Sequence, residues 1–80
     1  MSTLTFSIRV VDDEGDPVSN EDVYVVMSGI LGGPSQTGNT DEDGWAEFEF
    51  IAKRFYGVAH VRGEEHEIIA DDGDTFSITV

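Results

Sequence analysis

Two acidic glycine turns, set between runs of alternating apolar residues, constrain this chain more than any other feature. The first is Asp12-Asp13-Glu14-Gly15-Asp16-Pro17-Val18 and the second is Thr40-Asp41-Glu42-Asp43-Gly44-Trp45. Glycine tolerates positive φ and Asp side chains bond nearby backbone amides, so each turn ends one strand and opens the next segment. Before the first, Leu4, Phe6, Ile8 and Val10 alternate with Thr5, Ser7, Arg9 and Val11, the period of a half-buried strand. After the second, Ala46, Phe48 and Phe50 share one face, while Trp45, Glu47 and Glu49 share the other. A tryptophan aligned with two glutamates is expected to be at least partly exposed.

The remaining segments read the same way. Val23, Val25 and Met27 face one side of a strand and Tyr24 and Val26 the other, so this strand is either central or covered on its second face. Gly29 to Asn39 is loose, with room for a short edge strand near Ser35-Gln36-Thr37, because Pro34 keeps anything there off a central position. Lys53-Arg54 is a turn. The strand from Phe55 to Arg62 has two open registers, with either Phe55, Gly57, Ala59 and Val61 inward or Tyr56, Val58 and His60 inward. Gly57 suggests a bulge there. Gly63-Glu64 turns the chain into a strand from His66 to Ala70, and Asp71-Asp72-Gly73-Asp74 makes a tight hairpin to Phe76, Ile78 and Val80. The sum is one all-β domain over residues 1–80, a Greek-key sandwich of six or seven short antiparallel strands. Its predicted interior is Leu4, Phe6, Ile8, Val10, Val23, Val25, Ala46, Phe48, Phe50, Val61, Ile68, Phe76 and Ile78. At roughly 1.5–3 kcal/mol for each large side chain fully buried, that set sustains a small fold with a thin margin.

Size and charge bound the function. A chain of 80 residues buries only about 60–65% of the surface its unfolded form exposes. It has no cysteine to staple it or to build a thiolate zinc site. Self-association, docking on a larger body, or high salt would each add stability. Seventeen acidic residues against four basic ones give a formal charge of −13, spread over most turns and over outward positions such as Glu47, Glu49, Glu65 and Glu67. This matches a solvated, halophile-type surface, and it excludes direct nucleic-acid binding, which needs Lys and Arg clusters. The longest apolar run, Val23 to Met27, is far too short to insert in a membrane. No signal-peptide pattern precedes the first strand, so cytoplasmic synthesis and a place on a virion or particle surface are expected.

The string V-V-D-D-E-G-D-P-V-S-N-E-D-V-Y-V from Val10 to Val25, followed by T-D-E-D-G-W-A-E-F-E-F from Thr40 to Phe50, resembles the carboxypeptidase regulatory-like and related bacterial Ig-like modules. The likeness covers about three quarters of the chain. It departs after Phe50, where Ala52-Lys53-Arg54-Phe55 replaces the Pro-Gly that usually precedes the tyrosine strand. The resemblance implies an Ig-like, prealbumin-like sandwich of seven strands, used as a spacer, adhesion or carbohydrate-associated module and in phage and viral particles.

Chemistry has little to stand on. His60 and His66, near Glu64, Glu65 and Glu67, bring to mind a two-His, one-carboxylate site, but H-E-x-x-H is missing. Asp12, Asp16, Asp41 and Asp43 are calcium candidates, although turn formation alone accounts for them and the EF-hand spacing is not met. No metal, cofactor or catalytic residue is expected, and G-x-S-x-G and phosphate-loop patterns do not occur. Ile30, Leu31 and Trp45 are the candidate contact residues: two apolar side chains in a loose loop and one outward indole. The expected role is a non-catalytic structural or interaction module with a protein partner or a second copy. A carbohydrate-binding accessory domain, with Trp45 and Tyr24 or Tyr56 as stacking platforms, and an acidic decoy for a basic nucleic-acid-binding protein are the alternatives.

Overall fold

The computed structural model describes residues 2–28 and 34–80. Seven strands form two facing sheets: β1 (Thr3–Val11), β2 (Asp22–Met27), β3 (Ser35–Asn39), β4 (Trp45–Ile51), β5 (Phe55–Val61), β6 (Glu64–Ala70) and β7 (Thr75–Thr79). One sheet has the order β4-β1-β7 and the other β3-β2-β5-β6. The neighbours β1–β4, β1–β7 and β2–β5 are not consecutive in the chain, which is the crossed-over topology of a Greek-key sandwich. One pair departs from the expected antiparallel pattern: β1 and β7 run parallel, with Ile8 opposite Phe76 and Val10 opposite Ile78. A parallel neighbour needs a crossover rather than a hairpin, and here the whole chain between the first and last strands supplies it.

The interior is built by period-two alternation from both sheets. Leu4, Phe6, Ile8, Val10, Ala46, Phe48, Phe50 and Ile78 come from the first; Val23, Val25, Phe55, Ala59, Val61, Ile68 and Ala70 come from the second. Phe76 lies at the margin of this core, partly buried. Every phenylalanine of the chain meets at Phe6, whose ring centroid lies 5.6 Å from Phe48, 6.0 Å from Phe50, 5.0 Å from Phe55 and 6.1 Å from Phe76. Such offset and edge contacts add to the burial of apolar area.

The two acidic turns are one motif used twice. Asp12 Oδ1 accepts from the amides of Glu14 and Asp16, Asp12 O accepts from Gly15 N, and Asp12 N donates to Asp16 O. Asp41 repeats each bond with Asp43, Trp45 and Gly44. The glycines take φ of 87° and 84°, as an αL residue closing such a loop must. Both loops lie at the same end, joined by Val10 N donating to Gly44 O. Buried Thr40 ties in the connector to β2: its hydroxyl donates to Val18 O and accepts from Glu21 N.

Three local expectations change. Gly57 makes no bulge, since β5 pairs continuously with β6 from Phe55↔Ala70 to Val61↔Glu64. It is glycine because a Cβ there would collide with the Val26 carbonyl oxygen and the Phe55 ring. The β5–β6 turn is Arg62-Gly63 rather than Gly63-Glu64, with φ of 53° and 78°, so β6 starts at Glu64. Positive φ at both central residues matches the right-handed twist of the flanking strands. Asp71–Asp74 is not a hairpin either, because β6 and β7 belong to different sheets. The turn carries the chain across and docks on β1, with Thr5 N donating to Asp72 Oδ1 and Gly73 N donating to Thr5 O.

Candidate functional site

The open register of β5 resolves with Phe55, Gly57, Ala59 and Val61 inward. That choice turns Tyr56, Val58 and His60 outward. Pairing then sets His60 beside Tyr24 and Glu65, Val58 beside Val26 and Glu67, and Tyr56 beside Ile69. The outer face of the four-stranded sheet thus carries an apolar stripe bordered by two carboxylates. Tyr24 is 42% exposed, Tyr56 52% and Ile69 51%, while Val26 and Val58 are half-buried between them. Strand β2 is central in the sheet, and among the described residues nothing covers its apolar outer side. The ring centroids of Tyr24 and His60 lie 5.7 Å apart.

At one end of this face a cavity of about 200 Å³ opens, walled by Ser28, Tyr56, Val58, Glu67 and Ile69. Arg54 and Asp71 flank that end of β5 and β6, with Arg54 Nε donating to Asp71 Oδ1 at 2.8 Å. The hydrogen bond to Asp71, and to a lesser degree the Tyr56 hydroxyl, holds the exposed guanidinium protonated even more firmly than usual.

The residues singled out from the sequence are dispersed. Trp45 lies on the outer face of the other sheet, opposite Arg9, whose Cζ sits 5.8 Å from the indole centroid. Arg9 Nε also donates to Asp43 O, so one indole face is occupied by the protein's own cation and the side chain is half-buried. Ile30 and Leu31 lie outside the described residues. Asp12 and Asp41 spend one carboxylate oxygen each on backbone amides, and Asp16 and Asp43 contribute backbone groups to the same loops. Among the described residues no three His, Asp or Glu side chains converge as a metal set. The two histidines cannot meet, because His60 is on the outer face of its sheet whereas His66 follows the inward row of Ile68 and Ala70. Each instead stands near a neighbouring glutamate, His60 Nδ1 3.8 Å from Glu65 and His66 Nε2 3.9 Å from Glu64.

The apolar stripe itself was only half-visible in sequence. Tyr24 and Val26 stand out as the second apolar side of β2, but Tyr56, Val58 and Ile69 join them only through register.

The fold has known counterparts. The TIE protein of Bacillus anthracis superimposes with a TM-score of 0.72 at 12% identity, over 99% of this chain and 16% of that one. A DUF3823 family protein from Parabacteroides merdae ATCC 43184 gives a TM-score of 0.60 at 8% identity, over 96% of this chain and 44% of that one. At such identities the likeness is one of fold, and it defines the class: a β-sandwich module. The chain spans less than half the length of either structure. No family model matches the sequence, and no curated protein does.

Proposed function

We propose that this chain is a non-catalytic interaction module that docks on or decorates a larger assembly, using the outer face of its four-stranded sheet. The observation that carries the reading is the exposure of Tyr24, Tyr56 and Ile69 on one continuous apolar stripe. Burying such a stripe against a partner removes apolar area from water and supports a domain too small to bury much by itself. We read the module as a carboxypeptidase regulatory-like or bacterial Ig-like sandwich, a reading supported by the common hydrogen-bond pattern of its two motif turns. A surface of charge −13 suits a virion or other particle in a salt-rich milieu, where the self-repulsion is screened.

The test is association of the whole chain in its native particle or lysate, followed by chemical cross-linking and by light scattering at low and multimolar salt. Association that is lost in Tyr56→Lys and Ile69→Lys supports the reading. A chain that is monomeric and uncross-linked throughout overturns it.

Carbohydrate binding is the second reading, favoured by one observation: Tyr24 and Tyr56 share this face, with His60 against Tyr24. Trp45, on the opposite sheet, takes no part in such a platform. Glycan-array hits that disappear in Tyr24→Ala would move the assignment here.

A further inference from the structure

The sandwich has two lateral sides, one formed by the edge strands β3 and β4 and the other by β6 and β7. The first is bridged at one point by a side chain. The Gln36 carboxamide accepts from Glu49 N and donates to Glu49 O, so at that residue it takes the place of a neighbouring strand's backbone. Along β6 no contact of this kind occurs among the described residues.

Register says which groups β6 offers. A two-residue turn makes Val61 and Glu64 a hydrogen-bonded pair, and hydrogen-bonded and open pairs then alternate along the hairpin. The backbone groups of Glu65, Glu67 and Ile69 therefore aim at the free edge. The alternation holds on the far side of β5, where Ser28 N donates to Tyr56 O toward β2. The side chains of Glu65, Glu67 and Ile69 stand on the outer face, and those of Glu67 and Ile69 line the apolar cavity.

From this we propose that the free edge of β6, with the groove beside it, receives an extended basic segment of a partner protein as an added strand. Lys or Arg would stand opposite Glu65 and Glu67, and an apolar side chain opposite Ile69, packing toward Tyr56 and Val58. In an antiparallel addition the partner's pattern is apolar-x-basic-x-basic. Charge complementarity selects this occupant. Directly opposed unlike charges stabilise a strand pair, whereas a second copy of β6 would bring glutamates against glutamates and add another charge of −13. Strand addition supplies affinity from the main chain and specificity from alternate side chains. The proposal rests on the docking reading above and names its partner.

The experiment titrates the intact ¹⁵N-labelled protein at 0.1 M salt with a synthetic peptide, acetyl-Ser-Val-Thr-Lys-Thr-Arg-Ser-amide. The expected result is amide shifts along β6 and at least tenfold slower hydrogen exchange at Glu65, Glu67 and Ile69. The double variant Glu65→Gln, Glu67→Gln should bind at least tenfold more weakly. The control Glu42→Gln, Glu47→Gln, which removes the same charge elsewhere, should bind within twofold of the unaltered chain. Shifts centred on the acidic turns, or an equal loss in the control, would reduce the effect to general charge attraction and overturn the proposal. An equal response to the same peptide carrying Glu in place of Lys and Arg would do the same. A dimer that forms through β6 without peptide would assign the edge to a second copy. In that event, or if the peptide fails while the particle cross-links still depend on Tyr56 and Ile69, the basic-strand proposal falls and the docking reading stands.

Discussion

A methyl group added at Gly57 would strike the Val26 carbonyl and the ring of Phe55, one of the rings gathered around Phe6. The tight approach is a packing requirement, so its cost comes from moving a backbone and a core ring. Gly57→Ala is expected to lower stability by about 1–3 kcal/mol, the usual range for overpacking a close-packed interior. Gly15→Ala probes the other use of glycine: it has open space around it but a φ of 87°. The left-handed conformation alone should cost it about 1 kcal/mol. Urea titrations compare the two, and an equal or smaller shift of the midpoint for Gly57→Ala would contradict the packing argument. At this scale the sequence was readable where parity was decisive, as in Leu4, Phe6, Ile8 and Val10. It misled at Gly57, where a bulge was expected, because a glycine in a strand signals equally a bulge, a bend or a close approach.

Among the elements, the β3 and β4 edges show how two sheets are held at one side without a covalent link. Gln36 reaches across from one sheet to satisfy both backbone groups of Glu49 in the other. Gln36→Glu preserves the size of the side chain but replaces its amide donor with a second acceptor facing the Glu49 carbonyl. The expected loss is about 1–3 kcal/mol, with faster hydrogen exchange at the Glu49 amide than at its neighbours. Unchanged exchange there would mean that the bridge contributes nothing. The strand most exposed to misreading was β5, whose two alternating sets both carry apolar residues. The site depends on that choice, since the outward set Tyr56, Val58 and His60 completes a stripe begun by Tyr24 and Val26. The β6–β7 connection was expected as a hairpin and is not one, because an Asp-Asp-Gly-Asp turn serves a hairpin or a crossing between sheets equally well.

For the molecule as a whole, charge is the dominant lever. A net −13 lies on a body of 38 × 23 × 17 Å. Against it stand surface ion pairs such as Arg54–Asp71 and Arg62–Glu21, which solvent screens. Raising salt from 0.1 to 1 M shortens the screening length from about 10 Å to about 3 Å, and the general repulsion loses more than the few pairs do. The thermal midpoint should therefore rise, by about 4–8 °C for each kcal/mol gained in a domain of this size. A midpoint that falls with added sodium chloride would show that the ion pairs outweigh the repulsion.

Alternation, turn chemistry and charge are local properties, and by themselves they determined an all-β chain, most of its inward residues and a strongly acidic surface. They also marked Trp45 as outward, although not that Arg9 lies over it. Which strands become neighbours is decided by contacts between residues far apart in the chain, since turns of one kind permit several pairings. Only the folded sandwich therefore set β7 parallel to β1, placed the two histidines on opposite sides of their sheet, and left β6 with a free acidic edge beside an apolar groove.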